Sequence, residues 1–367
     1  MTVLLYWLVF GLTTGMSGPV MKYPSMQQVA DAAGLSKSAV SLALRNDPRI
    51  PGVTQERVKR IAEEMGYHRN PLVDTLMAQL RSARKPEFQA NLGLVNCAPQ
   101  KDLGSNHTFR RLREGVIDRA QQLGYGVEEF WLHQPGLRPK RLRQIVDARG
   151  IHGLIQVASL EHPTGGAEYA DFWFHFTCSV IGVPHFHQDL HCASNDQFQT
   201  SRRAAQKALD LGYRRPALFI PPEDDALLDD KFSAGFMSAT YGTEGVEFVP
   251  PQALHLNRLE AATDAIQELG PDVVISNKTE LYGALVASGV SLPREMGFIH
   301  LDWHDSIPHI AGMRQNNRMV GRAGVDLVVS QLHKNETGAQ EYPQLVEIES
   351  VWVDGPSVKK LRRRRAG

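Results

Sequence analysis

Three cysteines in 367 residues leave little sulfur chemistry to consider, and aromatic residues make up only 8% of the chain. Cys97, Cys178 and Cys192 are spaced neither as a zinc site nor as a disulfide framework, so they read as buried free thiols in a reducing compartment. Net charge is missing as well. Lys and Arg number 40 against 40 Asp and Glu, so whole-chain charge says nothing about polyanionic partners. No apolar run approaches the roughly 20 residues that a membrane helix needs. The run Leu4–Leu12 is too short, and no Lys or Arg precedes it as in a secretory leader. Met16, Met21 and Met26 follow as further candidate starts, and residues 1–24 read as an over-long start or a disordered leader. Gly-rich phosphate loops, G-x-S-x-G and H-E-x-x-H are all absent. No catalytic residue and no cofactor is expected, and the chain does not read as an enzyme.

What is present points to several domains. The length exceeds what one ordinary core accommodates, and 42% apolar with 22% charged residues is the composition of a globular protein. Charge is unevenly spread. Between Lys22 and Lys85 there are 11 Lys and Arg against 6 Asp and Glu, a basic end on a neutral chain. Such an end is the electrostatic footprint of a nucleic-acid-binding head.

The basic end reads as three short helices. Ser25 and Gln28 have the spacing of a capping box, and Met26, Val29, Ala30 and Ala33 recur on one helical face. Gly34 suits the left-handed turn that ends a helix. Ser36 is placed to cap a second helix with Val40, Ala43 and Leu44 inside. A third helix, capped by Thr54 and with Glu56 in its first turn, buries Val58, Ile61, Ala62 and Met65. Two helices joined by a short Gly turn, with the small Ala30 letting them cross closely, describe a helix-turn-helix. The outward positions of the second helix are Lys37, Ser38, Ser41 and Leu42, and Arg45, Asn46 and Arg49 cluster just beyond it. Those residues suit a DNA groove flanked by phosphates. The alternative is a small three-helix domain that binds protein.

From Asn91 onward, apolar runs alternate with amphipathic helices. LGLVNCA (92–98), GLIQVA (153–158), SVIGVP (179–184), PALFIP (216–221), DVVISN (272–277) and GFIHLD (297–302) read as buried strands. Phe109–Leu123, Thr200–Leu211 and Leu259–Leu269 read as helices between them. This alternation predicts an α/β body with parallel sheets, in two lobes, with ligands at the carboxyl ends of the strands. His185, His187 and His191 have metal-compatible spacing, but they fall where a surface crossing between lobes is expected and are not assigned to a metal.

The segment from Met26 to Leu76 resembles the DNA-binding head of the LacI/GalR family. Val29, Ala30, Ala33, Gly34, Ser36, Val40, Ser41, Leu44, Thr54, Val58, Gly66, Tyr67 and Asn70 stand in register with that family's pattern. Ala39 replaces its usual Thr, Arg69 its usual Pro, and Leu42 a position where many members carry a base-reading Arg. Leu42 cannot donate a hydrogen bond, so base readout would rest on Lys37 and Ser38, with Leu42 near a thymine methyl. The resemblance implies a helix-turn-helix domain over 25–68 and a hinge helix over 69–85. There Leu76 would wedge into the minor groove, and Arg81, Arg84 and Lys85 would favour phosphates. It assigns Ser36, Lys37, Ser38, Ser41, Leu42, Arg45, Asn46, Arg49, Tyr67, Asn70 and Leu76 to DNA.

The body resembles the same family's periplasmic-binding-protein-like part through SNDQFQTSRRAAQKALDLGYRRPALF, SAGFMSA, PREMGFIHLDW and VWVDGPSVKKL. The implied lobes are 90–193 with 315–343, and 194–313 with 344–355; the body ends near 361, followed by a basic tail over 362–367. Ligand positions carried over are Asn277, Asp302 and Gln315, joined by Asn96 at the end of the first strand. Alternatively, Asn277 and Asp302 only cap helices or turns. The family's effector-contacting Arg is Phe232 here, leaving either Lys231 to substitute or the Phe232 ring to stack on a sugar, and Trp303 replaces the second Asp of an F-D-D motif. The implied protein is a homodimeric, cytoplasmic, ligand-responsive repressor. Its partners would be double-stranded DNA with a near-palindromic operator and a small-molecule effector, expected to be a carbohydrate, with no membrane partner. The alternative is a periplasmic solute-binding protein.

Overall fold

The computed structural model describes residues 26–44, 50–65, 88–99, 101, 106–158, 169–183 and 189–361. The chain divides into two units, one up to Arg84 and one from Lys85 onward. The proposed leader, the hinge helix and the basic tail lie outside the described residues.

The first unit contains α1 (Met26–Ala33), α2 (Lys37–Ala43) and α3 (Gly52–Glu64). Gly34 turns the chain at φ +61°, a conformation that a Cβ would disfavour. Ser36 then caps α2, its hydroxyl accepting from the Ala39 N–H at 3.2 Å. Val29, Ala30, Val40, Ala43 and Val58 are fully buried where the helices meet. The Arg57 guanidinium donates to the Ala33 carbonyl at 3.1 Å, tying α3 to the orphan end of α1. One expectation is corrected here. Thr54 does not cap α3; the helix starts at Gly52 behind Pro51, whose φ of −56° leads directly into helical backbone, and the Thr54 N–H donates to the Pro51 carbonyl.

The second unit runs β1 (Ala90–Asn96), α4 (His107–Gln122), β2 (Tyr125–Trp131), α5 (Pro139–Ala148), β3 (Gly153–Val157), α6 (Ala170–Trp173), β4 (Thr177–Ile181) and β5 (His191–Asn195). It continues with α7 (Gln197–Leu211), β6 (Pro216–Ile220), α8 (Pro222–Ala226), α9 (Lys231–Thr240), β7 (Gln252–Ala253), α10 (Leu259–Leu269), β8 (Val273–Ser276), α11 (Thr279–Ala287) and β9 (Gly297–His300). It ends with β10 (Ala311–Arg314), α12 (Asn317–Lys334), β11 (Leu345–Ile348) and β12 (Val351–Val353). Two six-stranded sheets result, ordered β11-β5-β4-β3-β1-β2 and β12-β10-β9-β8-β6-β7. All pairs are parallel except β10 with β12. Strands β3, β4, β6, β8 and β9 are buried along their whole length, as parallel strands covered on both faces must be.

The chain passes between lobes three times: at Asp196, at 315–316 and at 349–350. The expected boundaries are therefore corrected. Leu345–Ile348 belongs to the first lobe as β11, paired with β5 from Leu345↔Cys192 to Ile348↔Asn195, and only β12 returns to the second. His191 is not on a surface crossing either. It opens β5, is buried, and its Nδ1 accepts from the Gln344 N–H at 2.9 Å. His185 and His187 lie outside the described residues, and among the described ones no group of His, Cys, Asp and Glu is arranged to hold a metal ion. Cys97, Cys178 and Cys192 are all buried and free; burial pushes each thiol up, that of Cys192 to about 12.

Helix α12 covers the first sheet and crosses α4 at two glycines. A Cβ on Gly115 would lie 2.0 Å from the Arg318 carbonyl oxygen, and one on Gly321 would lie 2.1 Å from that of Leu112. Backbone cannot yield as a flexible side chain does, so both helices depend on hydrogen at these positions. Gly321→Ala is expected to lower the unfolding free energy by about 2 kcal/mol through overpacking, read as a reduced urea midpoint. An unchanged midpoint would show that the helices separate freely.

Candidate functional site

Two surfaces carry the residues singled out by sequence. On the head, Ser36 spends its hydroxyl on the α2 cap, Lys37 stands exposed in the first turn, and Leu42 is half-buried one helical turn beyond Ser38. The side chains of Ser38 and Ser41 lie outside the described residues, as do Arg45, Asn46, Arg49, Tyr67, Asn70 and Leu76.

On the body, the strand ends face an interlobe cleft. Asp302 follows β9. Its Oδ2 accepts from His107 Nε2 at 3.0 Å and from the Thr108 hydroxyl at 3.3 Å, both on the first turn of α4 in the other lobe. Its Oδ1 is buried without a protein partner. Gln315, in the second crossing, donates to the Leu301 carbonyl at 3.1 Å and accepts from Gln197 at 3.2 Å. Asn277 follows β8, adjacent to β9; its amide donates to Asp224 at 2.7 Å, and its Oδ1 is buried and unpartnered. Lys278 also pairs with Asp224 at 2.7 Å. Asn96 ends β1, but its Oδ1 accepts from the Ala98 N–H at 2.8 Å and its amide donates to the Lys101 carbonyl at 3.4 Å, so it braces its own loop.

Phe232 lies elsewhere. It is 2% exposed at the start of α9, in the same apolar cluster as Leu228 and Phe236, and presents no open ring face. An apolar ring gains more there than in a polar cleft. Lys231, the other candidate substitute for the missing Arg, is paired with Glu347 of the first lobe at 2.6 Å. The structure thus brings Asp302 and Gln315 to one place, sets Asn277 on the adjoining strand end, and buries the Phe232 ring in the apolar core.

Several contributors escape sequence reasoning. The His107 ring stacks on His304 across the lobes, centroids 4.0 Å apart. His300 is 3% exposed, its Nδ1 accepts from the Asp302 N–H, and its Nε2 is buried and unpartnered. Burial drives His300 down to about 4, and burial followed by the charge of His107 lowers His304. Burial pushes Asp302 up, but the hydrogen bond from His107 and the charges of the three histidines together hold it below the usual carboxylate value. Arg111 of α4 bridges to Asp305 at 2.9 Å. Between these elements opens a cavity of about 220 Å³, bounded by α4, by 303–305 and by the second crossing. Asn106, which caps α4 through Phe109 N, is the local signal that marks a helix start facing the cleft. Nothing in sequence pairs it with a residue nearly two hundred positions away.

A three-helix head with an exposed reading helix, joined in one chain to a two-lobed α/β body with a polar cleft, defines a helix-turn-helix regulator with a ligand-binding body. Residues 25–70 match the family described as bacterial regulatory proteins, lacI family, and the chain is a helix-turn-helix transcription regulator. It is 22% identical over 330 residues to the HTH-type transcriptional regulator CelR of Thermobifida fusca, covering 84% of this chain and 92% of that one. With the HTH-type transcriptional repressor MelR of Bacillus subtilis it shares 23% over 336 residues, covering 84% and 91%. A solved CelR–cellobiose complex superposes with a TM-score of 0.57 at 18% identity, covering 91% of this chain and 99% of that one. The lac repressor dimer bound to operator and an anti-inducer gives 0.54 at 16% identity, covering 92% and 100%. Both likenesses show the fold.

The histidine cluster predicts acid sensitivity. His300 has a lower value folded than unfolded, so its neutral ring contributes stability that is present above 6.5 and is lost as the pH falls through about 4. The full contribution is roughly 3 kcal/mol. Urea midpoints measured at about pH 7.5 and pH 5 should fall more for the native chain than for His300→Asn, which keeps an acceptor but no titrating ring. Parallel falls would remove His300 from the explanation.

Proposed function

We propose that the chain is a ligand-responsive repressor of a carbohydrate-related gene set. A homodimer would bind a near-palindromic operator, one head per half-site. An effector entering the cleft would change the angle between the lobes and shift the population of DNA-binding states. The observation that carries the reading is the set of buried, unpartnered polar atoms at the ends of β8 and β9: Asp302 Oδ1, Asn277 Oδ1 and His300 Nε2. Buried polar atoms need partners, and a hydroxyl-rich molecule supplies both donors and acceptors. The names of CelR and MelR, and the cellobiose in the superposed complex, support a carbohydrate. Asp302 and Asn277 are assigned to the ligand, Gln315 to orienting the Asp302 loop, and Asn96 to the cleft wall.

Lys37, Ser38 and Leu42 are assigned to base edges, Ser36 and Ser41 to the flanking backbone, with Arg45, Asn46, Arg49, Tyr67 and Asn70 at phosphates and Leu76 in the minor groove. A regulator that reads chromosomal DNA works in the cytoplasm. Its relatives act through DNA binding, and we infer that this chain has no catalytic activity.

Gel shifts with the promoter beside its own gene test the reading. Lys37→Ala and Leu76→Ala should each weaken specific binding by about tenfold or more. Asp302→Asn should preserve operator binding and abolish its response to carbohydrate. Full specific binding by both head variants would overturn the assignment of the head.

A further inference from the structure

The cleft cavity is cationic in a way that a neutral sugar does not require. Its walls carry Arg110 and Arg111 from the start of α4 and Arg318 from the start of α12 in one lobe, and Arg314 from the end of β10 in the other. Asp305 is the one carboxylate among the lining residues. It is engaged by Arg111, and Arg318 is paired with Asp118. Arg314 differs. Its guanidinium lies 4.5 Å from the centroid of the Trp303 ring, and no carboxylate among the described residues pairs with it. Trp303 is itself fixed, its indole N–H donating to the Ile310 carbonyl at 2.8 Å. The fork of Arg314 is thus held in place with its donors unspent. His304 adds a buried, unpartnered Nδ1, and the positive end of the 16-residue helix α4 contributes to the same wall.

Trp303 thus carries a guanidinium on its face instead of neutralising one. Unspent guanidinium donors favour an anion, and planar donor forks match oxyanions bidentately.

We propose that this cavity binds the oxyanion group, phosphate or carboxylate, of a small-molecule effector, with Arg314 as the principal donor and Arg110 facing it from the other lobe. The inference rests on the reading of the cleft as an effector site and names the chemistry of that effector. Bound between the lobes, the anion neutralises guanidinia from both and draws them together.

Calorimetric titration of the full chain tests this, using inorganic phosphate, glucose 6-phosphate, glucuronate and glucose as probes. At least one anionic probe is expected to bind about tenfold or more tightly than glucose, and its affinity should fall with added salt. The order of glucose 6-phosphate and glucuronate distinguishes phosphate from carboxylate, and inorganic phosphate alone shows whether the oxyanion suffices. Arg314→Gln should weaken the anionic probe by about tenfold or more, with partial recovery in Arg314→Lys and an unchanged thermal midpoint as the check on folding. Glucose binding as tightly as its anionic counterparts, no anion binding at about 10 mM, or an unaffected Arg314→Gln would each overturn the proposal. Gel shifts run alongside separate the two readings. A neutral sugar that alters operator affinity while no anion binds more tightly removes the anion site and keeps the repressor; an anion that binds without altering operator affinity keeps the site and removes its role as effector.

Discussion

The contact between Asp302 and the first turn of α4 joins the two lobes through a half-buried carboxylate. A buried charge is costly unless it is paired and hydrogen-bonded. Here one oxygen is satisfied by His107 and Thr108, and the other has no protein partner. The lobes therefore meet on an interaction that is favourable and incomplete. Much of the nearby chemistry follows. Three histidines gather near one negative charge, His107 bonds it and stacks on His304, and His300 is kept neutral by burial. A ligand that completes the second oxygen would stabilise the same approach of the lobes that His107 has begun.

Short polar contacts tie the chain together where it changes lobes. Asn195 donates to Asn317 at 2.6 Å, Asn316 to the Glu349 carbonyl at 2.6 Å, and Thr200 shares a 2.6 Å hydrogen bond with Ser350. Away from the crossings, helices and sheets meet largely through apolar groups and, at α4 and α12, through glycine, with polar ties such as Ser179 to the Gly324 carbonyl at 2.9 Å. Close-packed elements of that kind transmit displacement without absorbing it.

The architecture was readable wherever burial is complete. Buried parallel strands such as Gly153–Val157 and Pro216–Ile220 carry continuous apolar runs, and the head shows its helices through Gly34 and Ser36. Edge strands were not readable. β2 contains Glu128 and Glu129, which reach Arg149 and Arg113, and β11 alternates exposed with half-buried residues, so neither has the signature of a covered strand. The cleft was half readable. Asn277, Asp302 and Gln315 end strands, and position alone points them inward. Their partners His107 and Thr108 lie 195 and 194 residues from Asp302, and no local pattern reports a contact formed by closing two lobes. Phe232 misled because its position was judged by what the family places there, whereas an aromatic ring is drawn to the apolar cluster beside it.

The triple crossing between the lobes has a mechanical meaning. A single tether would let one lobe swivel, twist and slide over the other, and each ligand would settle its own geometry. Three short tethers side by side remove most of those freedoms and leave a stiff leaf swinging about one line. Ligands of different shape and charge then drive the same stroke. Such a body can change what it senses by altering a few side chains at the mouth of the cleft, while the movement it delivers stays the same.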